Sequence, residues 1–143
     1  MNEITEFMGN DHTRLDEMFK QFRALKNQDL NRARDVFSRF KSGLEKHIVM
    51  EESILFPIFE LRTGMHSSGP TFVMRMEHRE IKDYLQKIQT SISADDTNTD
   101  DLERDLAQVL TSHDDKEENI LYPWIDISIN AEEKRLLLER MKA

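Results

Sequence analysis

A fourteen-residue pattern occurs twice in this chain, and the repetition restricts the possible folds more than any other feature. HIVMEESILFPIFE, from His47, and HDDKEENILYPWID, from His113, share six of fourteen positions: His, Glu, Glu, Ile, Leu and Pro. The offset is 113 − 47 = 66, and the same offset carries Glu51 onto Glu117, Pro57 onto Pro123 and His12 onto His78. The surroundings of the last pair match in character, DHTRL against EHREI. In each half the two histidines are 35 residues apart. Two helical hairpins related by an approximate two-fold axis would bring both His, His, Glu sets together.

The periodicity of the flanking residues is helical. A first helix is expected over about 4–26, with Ile4, Phe7, Met8, Leu15, Met18, Phe19, Phe22 and Leu25 on its stripe and His12 filling the one gap. A second, over about 30–61, places His47 and Glu51 on the stripe of Val36, Phe37, Phe40, Leu44, Ile48, Ile54 and Leu55. RTGMHSSGP, over 62–70, is the clearest break. A third helix, about 71–92, has His78 in register between Met74 and Ile81. A fourth, about 102–125, follows the polar loop SADDTNTDD and carries His113 and Glu117 in register with Leu106, Leu110, Leu121 and Trp124. A short tail helix is expected over 131–142. The fold expected is all-α: an up-down-up-down four-helix bundle with a pseudo-two-fold internal repeat and a short C-terminal helix, one domain over 1–143 with its bundle core at about 5–126. Pro57 and Pro123 are expected to kink or end their helices.

Composition removes several classes of function. The 143 residues hold 20 Lys and Arg against 28 Asp and Glu, a formal charge of −8. So acidic a chain is a poor partner for nucleic acid or an anionic membrane. The absence of cysteine excludes a disulfide scaffold, a thiolate metal site and a thiol nucleophile. No apolar run approaches the roughly 18 residues of a membrane helix, and MNEITEFMGNDH does not read as a signal peptide. A cytoplasmic location is expected.

What remains is metal chemistry. A His at i and a Glu at i+4 share a helix face, their Cβ atoms roughly 5–6 Å apart. Both such pairs point into the apolar stripe, where a carboxylate is rare unless paired or coordinating a metal. A lone His on an apolar face is ordinarily a satisfied core residue. Four of the five His on such faces, two of them with a Glu at i+4, favour ligands instead. His12, His47, Glu51, His78, His113 and Glu117 are therefore the candidate metal ligands. Six donors are too many for one tetrahedral zinc. They suit two octahedral ions completed by a bridging oxygen, with Glu51 and Glu117 as natural bridges. Glu52 and Glu118 are expected to support or to be solvated, with Glu118 an alternative to Glu117. Met74 is expected in the core near the pocket, Tyr122 and Trp124 in packing, and His66 exposed. The competing reading is a structural bundle whose buried His and Glu only hydrogen-bond one another.

His12 in DHTRLD, HxxxEExILFP from His47, His78 in MEHREI and HxxxEExILYP from His113 together resemble the hemerythrin-like, or HHE cation-binding, domain. The resemblance spans about residues 5–126. It implies a four-helix bundle holding two Fe ions with a bridging oxo or hydroxo group. It further implies binding or sensing of O2 or NO, with iron donation or reduction of NO or peroxide as the alternative. The family's respiratory carriers have a further His one turn away on the third helix, where this chain has Met74 and Lys82. The four-His, two-Glu set is more similar to the iron-repair and iron-sensing branches, and a redox or signalling role is expected to need a separate partner protein.

Overall fold

A computed structural model describes all 143 residues, and every regular element in it is helical. The elements are α1 (Glu3–Leu25), α2 (Leu30–Met50), a π-turn at Glu51–Leu55, α3 (Phe56–Thr63), α4 (Pro70–Ser93), α5 (Asp100–Lys116), a second π-turn at Glu117–Leu121, α6 (Tyr122–Ser128) and α7 (Ala131–Lys142). The segment α2–π–α3 is one continuous rod, and so is α5–π–α6. With α1 and α4 they make an up-down-up-down bundle of four rods. Neighbouring rods α1 and α2, and α4 and α5, pack as hairpins; α2 also packs on α4, and α1 on α6. No helix is long and apolar enough to cross a membrane.

The helix ends follow from local chemistry. Asp29 caps α2, its carboxylate accepting from the Arg32 amide at 3.2 Å. Gly64 ends α3 at φ 75°, a left-handed conformation that costs glycine little. Asn130 and Glu133 form a reciprocal capping box at the start of α7. The N-terminus of α1 has no local side-chain cap. Asp126 on α6 supplies one from a distance, accepting from the amides of Ile4 and Thr5 at 3.0 Å each and from the Thr5 hydroxyl at 2.7 Å. The repeat reappears here. Thr71 at the start of α4 donates to Glu60 of α3 at 2.7 Å; Thr71 lies 66 positions after Thr5, and Glu60 lies 66 before Asp126.

Of the two outcomes expected for Pro57 and Pro123, a kink or an end, the end does not occur: each rod continues through its proline. The widened turn is the reason. The amide of Phe56 bonds to the carbonyl of Glu51, and that of Tyr122 to the carbonyl of Glu117, five residues back rather than four. The extra residue loosens the coil just before each proline, where an ordinary α-turn would lack a donor and meet the ring.

Two apolar clusters fill the bundle. One holds the phenylalanines 19, 22, 37 and 40 with Ile81, Leu85, Ile88 and Leu106. Phe19 stacks on Phe40, and Phe22 leans on Phe37, both at 4.8 Å between centroids. The other holds Met8, Phe56, Phe59, Met74, Leu121 and Ile125, with α7 docked through Leu137 and Met141. Along each rod the residues between the clusters are polar: His12 between Met8 and Leu15, His78 between Met74 and Ile81, and His47 and His113 on α2 and α5.

Candidate metal centre

The polar layer is sealed. His12, His47, His78 and His113 are all buried, and Glu51 and Glu117 are 0% exposed. The imidazoles meet in two pairs. His12 and His47 have ring centroids 4.6 Å apart, and His78 and His113 have theirs 4.9 Å apart. Glu117 reaches both pairs, with Oε1 3.2 Å from His12 Nε2 and Oε2 3.2 Å from His113 Nε2. Glu51 Oε1 lies 3.1 Å from His78 Nε2 and 3.8 Å from His47 Nε2. The six residues singled out in the sequence thus converge on one point between the four rods, while His66 lies exposed in the bend before α4.

Each histidine is held by a carboxylate on its outer nitrogen. Asp11 Oδ2 is 2.7 Å from His47 Nδ1, and Glu77 Oε1 is 2.8 Å from His113 Nδ1. Glu52 Oε2 is 2.6 Å from His78 Nδ1, and Glu118 Oε2 is 3.2 Å from His12 Nδ1. An ionised carboxylate only accepts, so Nδ1–H must donate in every case. That fixes Nδ1 as the outer, donating nitrogen and aims each Nε2 inward, where it offers a lone pair once its own proton is displaced, the support that metal-ligating imidazoles require. Glu118 is therefore on the outer side of His12 and does not substitute for Glu117. Asp11 and Glu77, which the sequence reading did not single out, are related by the same offset of 66.

The charges are set for cations. Burial opposes a proton on His12 and His113, but nearby carboxylates prevail, Glu117 foremost, and lift them to about 10 and about 9. His78 is raised as well, burial again opposing and Glu51 driving the change. Burial and the negative charge of Glu117 raise the Glu51 carboxyl, whereas Glu117 is held low against its burial by Glu51, His113 and His12. One proton shared within this carboxylate pair is the metal-free solution to two like charges in a dry site. Burial also takes Asp114, whose Oδ1 is 3.3 Å from His12 Nε2, up to about 7.

Tyr122 belongs to this centre and not simply to the packing. Its hydroxyl is 2.7 Å from Glu51 Oε2, 3.0 Å from Glu117 Oε1, 3.2 Å from His47 Nε2 and 3.3 Å from His12 Nε2. The repeat aligns it with Phe56, so its hydroxyl is invisible to a comparison of the two halves that looks only for shared residues. Trp124 does pack, edge-on to Phe59 at 5.1 Å.

The donors suit metal ions. Glu51, His78, His113 and Glu117 have ligand atoms within 4.8 Å of one another, as do His12, His47 and Glu117. Glu51 Oε1, Glu117 Oε2 and His78 Nε2 are buried without a hydrogen-bond partner. Orphaned buried polar atoms are uncommon and costly, and a cation satisfies all three at once. Imidazole with carboxylate is a donor set that iron accepts.

Comparison with known proteins agrees with this geometry. The family model described as the hemerythrin HHE cation binding domain matches residues 3–125. The chain is 27% identical, over 133 residues, to an uncharacterized hemerythrin-like protein of Schizosaccharomyces pombe; the match covers 93% of this chain and 64% of that one. It is 39% identical over 46 residues to the iron-sulfur cluster repair protein YtfE of Yersinia pseudotuberculosis, covering 32% of this chain and 21% of the relative. A similar match, 39% over 49 residues, covers 34% of this chain and 22% of the YtfE protein of Edwardsiella ictaluri. The chain thus spans less than two thirds of the length of each of these relatives. No solved structure matches.

Proposed function

The chain belongs to the hemerythrin HHE cation-binding domain family, and from that premise we propose that it is a non-haem di-iron protein that binds or senses O2 or NO. Glu51, His78, His113 and Glu117 would hold one ion, and His12, His47 and Glu117 the other. The observation that carries this reading is the convergence of four inward-facing Nε2 atoms on two fully buried carboxylates, with one oxygen of each carboxylate and the Nε2 of His78 close to an oppositely charged neighbour but without a hydrogen bond. Bound iron would supply the exchangeable electrons and the affinity for a diatomic ligand.

The residues of the chain do the rest. Glu117 presents one oxygen to each histidine pair and so would serve as a ligand in both positions. Asp11, Glu52, Glu77 and Glu118 hold the imidazoles in one tautomer. Leu55, Phe56, Met74 and Leu121 lie in the apolar cluster beside the site and exclude water. A small uncharged gas crosses such a shell more readily than hydrated anions do.

Metal content per chain and the optical spectrum, measured after anaerobic reduction and again on exposure to O2 and to NO, test the proposal. About two irons per chain with a reversible spectral change on gas binding is the expected result. No bound metal, with stability unchanged by chelator, would leave a structural bundle. The local similarity to repair proteins favours iron donation as the second reading. Rapid loss of iron to an external chelator, without a reversible gas spectrum, would select it.

A further inference from the structure

The repeat is broken where its two halves meet. Position 56 is Phe and its counterpart at 122 is Tyr; position 48 is Ile and its counterpart at 114 is Asp. Phe56 stacks on His78 at 5.9 Å and 6° and offers it no polar atom. Tyr122 directs its hydroxyl at the other pair, within 3.3 Å of both His12 Nε2 and His47 Nε2. All three orphaned atoms, Glu51 Oε1, Glu117 Oε2 and His78 Nε2, lie on the Phe56 side. On the Tyr122 side the phenol is within hydrogen-bond distance of Glu51 Oε2 at 2.7 Å and Glu117 Oε1 at 3.0 Å, its one proton shared between them with the nearer Glu51 favoured, and His12 Nε2 has Asp114 as well.

From this asymmetry we infer that the two metal positions fill in order: the His78/His113 position first, and the His12/His47 position second, against the Tyr122 hydroxyl, which occupies the second position's hydrogen bonds until the ion displaces it. The inference rests on the metal-binding reading above. The first ion meets four donors, two of them carboxylates, with unmet hydrogen-bonding capacity. The second meets three donors, one of them shared, and must break bonds from the phenol. A hydrogen bond to a charged group shifts an equilibrium by roughly ten- to a hundredfold, so the two affinities separate by about that factor.

The test loads the metal-free full chain stepwise with ferrous iron under anaerobic conditions, in competition with a chromophoric chelator. Two steps are expected, about ten- to a hundredfold apart. His12→Ala should remove the weak step and leave the strong one, and His78→Ala should remove the strong one. Tyr122→Phe, which installs the residue that the other half already uses, should tighten the weak step toward the strong one. Phe56→Tyr should weaken the strong step, and it carries the test if Tyr122→Phe does not fold. Two ions bound with a single affinity in the unaltered chain would overturn the inference while leaving the metal reading intact. A weak step unchanged or weakened by Tyr122→Phe would also overturn it, because the hydroxyl would then be a bystander or a donor to the ion. Failure to bind any iron would overturn the metal reading itself.

Discussion

Glu51→Gln should stabilise the protein without metal and cripple it with metal, and the opposite signs make this the most discriminating substitution. Glu51 is fully buried beside Glu117, and one of its oxygens makes no hydrogen bond. Its carboxyl is raised by burial and by Glu117. A raised carboxyl binds its proton more tightly when folded, so its contribution is fully present below the unfolded pKa near 4.5 and is lost as pH rises. At neutral pH the metal-free fold therefore bears a cost that an amide of the same shape removes. An unsatisfied buried polar group costs about 1–3 kcal/mol. For a chain of this size that corresponds to a rise of roughly 3–10 °C in the unfolding midpoint. The metal-free fold is available to be measured because two apolar clusters, lying on either side of the polar layer, do not depend on the site. Thermal unfolding in chelator at pH 7 and again near pH 4 provides the assay. The advantage of the Glu51→Gln variant should be largest at pH 7 and should shrink near pH 4, where Glu51 is protonated in both states. With ferrous iron present the order should reverse, because the substitution removes a charged ligand and with it the stabilisation that binding confers. If Glu51→Gln were less stable than the unaltered protein in chelator at pH 7, the carboxylate would be a structural hydrogen-bonding group whose burial carries no net cost, and the reasoning would be refuted.

Three other outcomes are expected. Because His12 and His113 stand at about 10 and about 9 without metal, the metal-free protein should lose stability as pH climbs from near 7 toward 10. Metal uptake at pH 7 should then release protons, tightening about tenfold per pH unit for each proton displaced; calorimetry in buffers of different ionisation enthalpy counts them, and zero net release contradicts the assignment. Asp11→Asn or Glu77→Gln replaces the charged acceptor on His47 or His113 by a neutral amide and should weaken iron binding by roughly ten- to a hundredfold, with helicity unchanged by circular dichroism. Asp126→Ala strips two amides and a hydroxyl of α1 of their acceptor and should lower stability in chelator by about 1–2 kcal/mol, whereas His66→Ala should leave both metal content and stability as they are.

The sequence carries the rods and the inward residues plainly, because burial on one face of a helix leaves a three-to-four periodicity in the chain itself. It carries the supporting acids poorly, for a geometric reason. Asp11 precedes His12 yet serves His47, and Glu52 follows Glu51 yet serves His78 on another rod. Adjacency in the chain points to the wrong histidine in both cases. The offset of 66 did align Asp11 with Glu77, a match in charge whose meaning depends on which rods become neighbours. Tyr122 is hidden differently. Its ring satisfies the apolar pattern as well as Phe56 does, and only the meeting of the two hairpins sets its hydroxyl within 3.3 Å of four polar atoms. The π-turns leave no periodic trace either, since one extra residue shifts the stripe by less than its own width; the prolines at 57 and 123 mark them only in retrospect.

The outer carboxylates also explain why a duplicated hairpin is suited to building such a centre. Asp11 links α1 to α2 through His47, and Glu52 links the α2 rod to α4 through His78. Glu77 links α4 to α5 through His113, and Glu118 links the α5 rod back to α1 through His12. The four bonds form a closed circuit around the bundle, each crossing from one rod to the next. One hairpin alone closes only the link from Asp11 to His47, because the partners of Glu52 and His12 lie on the other hairpin, and its remaining imidazole is left free to turn. Duplication closes the circuit, so every Nε2 is aimed inward before an ion arrives, and the ordering cost of the ligands is met by the fold rather than by the metal. The widened turns serve the same end. They set Glu51 and Glu52, and likewise Glu117 and Glu118, at the point where the rod changes register, so that of two successive carboxylates one faces the centre and the other reaches the back of a histidine on the next rod. The circuit needs only the features that the halves share. The centre departs from the repeat at Tyr122 and Asp114, and there the two metal positions can differ without disturbing the frame that holds them.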